Sequence, residues 1–172
     1  MNRALWTSLA SVVIAQAIKI PKRIEETGKW EWSDLFRTGG MPSSHSAGVA
    51  SLATYMGVKK GFSSPYFSLA AMFSVVVMFD AMGIRRHAGL IATEVNELEE
   101  TVIKLTEEHA PYSHPRMEKE LEEKLGHLPA EVAGGALLGI AIGWLSAATE
   151  QASAKKRASA AGFMRRWTTR LF

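Results

Sequence analysis

Four apolar runs, separated by densely charged stretches, set the terms for this chain. They are Ala4 to Ile20, Ser46 to Val58, Tyr66 to Ile84 and Val132 to Ala148. A bilayer-spanning helix needs ~20 apolar residues, with about 17 as the lower limit. The third and fourth runs qualify and the first is marginal. The second is long enough only if Ser43–Ser46 enter the membrane. The mean hydropathy near zero conceals this segregation. Residues 88–126 carry ten acids against four bases, and the segment after Glu150 carries six bases and no acid. The net charge of +3 is therefore an asymmetry between segments. It is not a nucleic-acid footprint, and no nucleic-acid partner is expected. The absence of cysteine excludes disulfides, thiolate metal sites and thiol catalysis.

These runs predict an all-α fold: an integral membrane helical bundle with about four transmembrane helices and an extramembrane helical hairpin. A soluble helical bundle with buried glycines is the rival. The membrane domain covers residues 1–150. Within it, 88–126 reads as a polar helical insertion, with Leu90, Val95, Leu98, Val102 and Leu105 as an amphipathic stripe broken near Pro111 and Pro115. Residues 151–172 read as a basic C-terminal tail suited to lying on anionic lipid. The first run resembles a signal peptide only superficially, because no small-residue cleavage site follows it. Trp30 and Trp32 suit a membrane-interface belt or a loop anchor. In the fourth run Gly135, Gly139 and Gly143 form a GxxxGxxxG row that lets helices approach closely, and homo-oligomerisation through it is one expectation. Arg3, Lys59-Lys60 and the basic tail fall on one side. By the positive-inside rule this makes both termini cytoplasmic and turns the acidic hairpin outward.

The chemistry gathers at the opposite side. Gly39-Gly40-Met41-Pro42-Ser43-Ser44-His45-Ser46-Ala47 opens the second run. Pro42 suits the turn or first helical position, and Ser43 or Ser44 can cap the helix. A helix N-terminus accepts an anion, and a histidine there can move protons. The same topology brings Lys19, Ser43, Ser44, His45, Arg85, His127 and Glu131 to one membrane face. His127 and Glu131, four apart, would share a helix face, so the carboxylate could orient the imidazole. Cations, helix-start amides and two histidines are what phosphoryl transfer requires. Asp80 lies about one turn inside the membrane and is expected to pair with a base. Gln16 is the other polar residue inside a span interior. His87, His109 and His114 read as solvated. The bases around the HxxxE spacing favour an anion over a metal, so no metal or other cofactor is expected.

These residues resemble the divergent branch of the type-2 phosphatidic acid phosphatase superfamily, which includes vanadium-dependent haloperoxidases. Pro42-Ser43-Ser44-His45 matches the second superfamily motif with serine for glycine. Gly126-His127-Leu128-Pro129-Ala130-Glu131-Val132 matches the third, with Glu131 for the customary aspartate. Asp80-Ala81-Met82-Gly83-Ile84-Arg85, with Ala88-Gly89 and Asn96, is similar to the divergent branch specifically. The resemblance implies His127 as nucleophile, Glu131 orienting it, and His45 as proton donor and then base. Lys19, Ser43, Ser44 and Arg85 would hold phosphate, with Lys29, Asp80 and Asn96 as supporting residues. Lys29 or Arg23 would supply the arginine of the first motif. Arg85 stands 42 residues from His127, so 88–126 would be an insertion within the third motif.

The expected function is a metal-independent lipid phosphatase of the bacterial plasma membrane, with its site facing outward. It would hydrolyse a phosphomonoester or a polyprenyl diphosphate through a phosphohistidine. Its partners would be the lipid substrate and the bilayer. A non-catalytic protein binding anionic lipid head groups is the alternative, and a membrane scaffold or transporter the third reading.

Overall fold

The computed structural model describes residues 2–29, 39–107, 121, 123 and 125–168. Five helices account for most of them: α1 (Arg3–Thr27), α2 (Ser44–Lys60), α3 (Pro65–Met82), α4 (Ile84–Glu107) and α5 (Pro129–Thr168). No strand occurs among the described residues. Local chemistry sets the starts. Asn2 caps α1 by accepting from the N–H of Leu5, and Ser64 caps α3 just ahead of Pro65. Proline at a first helical position forfeits no hydrogen bond. Gly28, at φ 68°, ends α1 in the left-handed conformation that side chains resist.

α2 is the hub, packed against α1, α3 and α5. Its 17 residues measure about 26 Å at ~1.5 Å per residue. Nine of them are buried, and apart from Tyr55 these are serine, alanine or glycine. The large apolar side chains point the other way. Leu69 is 71% exposed and Phe79 73%, and Val13, Leu137 and Trp144 are also exposed. Small residues inside and bulky apolar residues outside suit a bundle solvated by lipid. α1, the continuous α3–α4 stretch Pro65–Thr106, and α5 are each long and apolar enough to cross a membrane. The chain is an integral membrane protein.

Glycine sets the helix spacing. A Cβ on Gly135, Gly139 or Gly143 would lie 2.2, 2.3 or 2.4 Å from the carbonyl oxygens of Ser43, Ala47 and Ser51. The row expected to serve a second copy is thus buried within the chain, one turn of α5 against one turn of α2. Hydroxyls complete the packing: Ser11 donates to the carbonyl of Ala47 (3.0 Å), Ser8 to Gly48 (2.9 Å) and Ser74 to Val49 (3.0 Å). Such bonds in a membrane average about 0.6 kcal/mol each.

The helix bounds bear on the polar insertion and on the basic tail. The amphipathic stretch begins earlier, with α4 starting at Ile84 directly after Gly83. The described residues between Leu121 and Leu128 are not helical. α5 continues through the basic stretch to Thr168. The composition of 151–168, rich in alanine, lysine and arginine, favours helix once α5 is nucleated. Trp30, Trp32, His109, His114, Pro111 and Pro115 lie outside the described residues.

Candidate active site

The site is built where α1 and α3 end and α2 and α5 begin. Ser43 caps α2: its hydroxyl accepts from the N–H of Ser46 (3.4 Å) and from the Ser46 hydroxyl (3.1 Å). Ser43 also donates its N–H to the carbonyl of Glu131 (2.9 Å), which ties the start of α2 to the first turn of α5. Pro42 lies ahead of the cap, after a cis peptide bond, and is not in the helix. From this end His45 stands exposed. Its ring meets that of His127 edge-on, with centroids 5.8 Å apart.

Lys19 brings a positive charge to the same place. It is 4% exposed, and its ammonium donates to the carbonyl of Gly39 (2.9 Å) and at 3.5 Å to the hydroxyl of Ser44. Both Ser43 and Ser44 are buried. Arg85 is exposed and bonded through Nε to Asp80 (2.5 Å), so the expected pairing of Asp80 with a base is present. Of the two bases proposed for the first motif, Arg23 lies one turn from Lys19 on α1, whereas Lys29 is exposed beyond the end of that helix. His87, read as solvated, is exposed and turns its ring back to the carbonyl of Gly83 (3.0 Å).

His127 is buried at 3% exposure, and neither ring nitrogen has a hydrogen-bond partner among the described residues. Burial pushes its pKa down to about 4, helped by the charges of Lys19, His45 and Arg85. The imidazole is therefore neutral at physiological pH. Glu131 does not bond this ring. Its carboxylate accepts from the N–H of Leu128 (3.0 Å), reaching back over the first turn of α5. The shared-face expectation required both residues to be helical, but α5 starts at Pro129, so His127 precedes the helix. Glu131 instead fixes the peptide beside His127.

Sequence reasoning gave Asn96 only a supporting place, and the structure shows what it supports. Its side-chain amide donates to the carbonyl of Leu121 (3.0 Å) and accepts from the Leu121 N–H (3.1 Å). It also donates to the carboxylate of Glu123 (2.8 Å). Further along α4, a Cβ on Gly89 would lie 2.6 Å from the carbonyl oxygen of Glu123. Gly126, at φ 83°, sits against the backbone of Arg86. The segment then ends with His127 donating its N–H to Ala81 at the end of α3 (2.9 Å). Residues 121, 123 and 125–126 thus lie back along α4 and deliver His127. The spacing of Gly89 and Asn96 on α4, seven residues apart and so on one face, was the signal available in the sequence.

Buried cation, capped helix start and paired histidines at one end of a lipid-facing bundle define an integral membrane protein with a polar, basic end. The chain belongs to the Divergent PAP2 family, which matches residues 1–142. It is similar to the "Uncharacterized membrane protein YuiD" of Bacillus subtilis (strain 168), with 42% identity over 144 residues. That alignment covers 82% of this chain and 91% of the relative. No solved structure matches it.

Proposed function

We propose that the chain is a metal-independent lipid phosphatase, cleaving a phosphomonoester or a polyprenyl diphosphate through a phosphohistidine. The observation that carries this reading is the edge-on approach of His45 and His127, at 5.8 Å, beside the buried Lys19 ammonium. A ring nitrogen of neutral His127 attacks phosphorus, forming an N–P bond as the bond to the leaving oxygen breaks. Protonated His45 gives its proton to that oxygen. Water then attacks the phosphohistidine, His45 takes a proton from it, the N–P bond breaks and inorganic phosphate leaves. Lys19, Arg85 and the Ser43 and Ser44 groups balance the developing charge on the phosphoryl oxygens. Family membership supports the reaction class. The pairing of Asp80 with Arg85 supports a structural role for Asp80.

The site-bearing end is the outward one in this proposal. Arg3, Lys59 and Lys60 lie at the other end of the bundle, where Lys59 pairs with Glu150 (3.0 Å) and Arg3 with Thr149 (2.8 Å). Basic residues at that end favour a cytoplasmic placement. The test is phosphate release by purified protein from phosphatidate, phosphatidylglycerol phosphate and undecaprenyl diphosphate, beside His127→Ala. Vanadate-sensitive, chelator-resistant release that vanishes in the variant is the expected result. Head-group binding by folded protein without release from any substrate would overturn it in favour of a lipid-binding role.

A further inference from the structure

α4 carries a pattern that the proposed reaction does not use. Ala88, Val95 and Val102 recur every seven residues, and so do Ile91, Leu98 and Leu105, three positions further on. Apolar residues alternating at three and four form the a and d positions of a heptad, the seam of a coiled coil. The period is 3.5 residues, not the 3.6 of a straight helix. It runs for about 26 Å at ~1.5 Å per residue.

This seam is open. Ile91 and Leu98 are each 62% exposed and Leu105 58%; Ala88 and Val102 are exposed too, and Val95 is half-buried. The segment that delivers His127 lies on another face. It is held at Asn96 and passes Gly89, each one residue beyond an a position and so about 100° round the helix. Residues 108–120 hold, prolines apart, only Ala110, Tyr112 and Met117 as apolar residues, too few to fill the seam. Among the described helices α4 meets only α3, whose end it follows. The 18 residues of α3 measure about 27 Å, and Arg85, Arg86 and a run of glutamates come next, which puts α4 beyond the bilayer.

An exposed apolar face of this length marks a contact surface. Anionic lipid is a poor occupant, because Glu94, Glu97, Glu99 and Glu100 surround the seam. A second copy is a good one. Two copies inserted the same way in one bilayer send their α4 helices out in parallel. Valine at a with leucine at d is the combination that favours a parallel two-stranded coil. We infer that α4 pairs with α4 of a second copy in such a coil, making a homodimer about a twofold axis along the membrane normal. The inference uses no catalytic residue and stands whether or not the chain is a phosphatase. Its consequence for the site is that the helix carrying Asn96, and through it the segment leading to His127, is braced by the second copy.

The chain has no cysteine, so single cysteines report the pairing. Leu98→Cys puts a thiol in the seam, and Glu97→Cys puts one about 100° away on the same turn. Both positions are exposed, so neither change disturbs packing. Full-length protein in liposomes is oxidised with copper phenanthroline. Leu98→Cys should form disulfide-linked dimers about tenfold faster or more than Glu97→Cys, since only paired seams bring the Cβ atoms within bonding range. Equal rates, or no dimer from either, overturn the inference. In a second measurement Leu98→Cys is diluted to single copies per vesicle and treated with a water-soluble maleimide. It should react freely there and be protected in crowded vesicles. Protection at both dilutions would show the face covered by lipid or by its own chain, and would overturn the inference as well.

Discussion

Replacing Gly139 by alanine tests the idea that the site is held by the contact between α5 and α2. The added Cβ would lie 2.3 Å from the carbonyl oxygen of Ala47, where ordinary contact begins at 3.4 Å, so the helices must separate by about 1.1 Å. That carbonyl is fixed from the other side by the hydroxyl of Ser11 at 3.0 Å, so α2 cannot yield without disturbing α1. Overpacking of this kind costs about 1–3 kcal/mol, and alanine's better helix propensity returns up to ~1 kcal/mol. A net loss of about 1–2 kcal/mol is expected. The control is Gly134→Ala, whose Cβ would meet only the flexible end of the Met41 side chain at 2.9 Å, so the propensity gain should leave it neutral or up to ~1 kcal/mol more stable. Thermal unfolding in detergent, followed by tryptophan fluorescence, compares the two. Equal midpoints would show that the close approach does not hold the bundle and would refute the reasoning.

Three further perturbations reach the site itself. Asn96→Leu removes both bonds to the Leu121 backbone, so His127 should become more reactive to diethyl pyrocarbonate while phosphate release falls by about tenfold or more. Unchanged labelling would show that Asn96 does not position it. The depressed pKa of His127 makes the unfolded chain take up its proton first as pH falls. Stability is then complete above about 6.5, declines by roughly 3 kcal/mol between about 6.5 and 4, and is level below that. Unfolding midpoints across this range should show a slope in the wild type that His127→Phe lacks. Lys19→Met removes the buried cation and should lower kcat/KM by about 100-fold or more, with a matching loss of vanadate sensitivity. A variant that keeps its vanadate sensitivity would exclude Lys19 from phosphate binding.

The convergence of Lys19, Ser43, Ser44, His45, Arg85 and His127 on one end was legible because span topology alone assigns ends. The glycine row was legible as a close contact, but not its partner. That partner is the small-residue ladder of Ser43, Ala47 and Ser51, which has the same four-residue spacing. Glu131 shows where spacing misleads: four residues align side chains only inside a helix, and the helix starts two residues after His127. The grip of Asn96 on Leu121 joins residues 25 apart across an insertion of no regular period, so the spacing of Gly89 and Asn96 marked a shared face of α4 but nothing local named its partner. The continuation of α5 past Glu150 was obscured by charge, which says where a segment meets water but not whether it is helical.

The serine and glycine interior separates two kinds of information in this chain. Contacts of glycine with carbonyl and of hydroxyl with carbonyl do not need lipid around them. The bulky residues that do, such as Leu69, Phe73 and Phe79 on α3 and Leu137 and Trp144 on α5, make up the outer coat. The solvent is specified by one set of positions and the architecture by another. Polar replacements confined to the coat would therefore change the medium in which the protein dissolves, while the spacing that brings His45 to His127 stays encoded in residues no lipid touches.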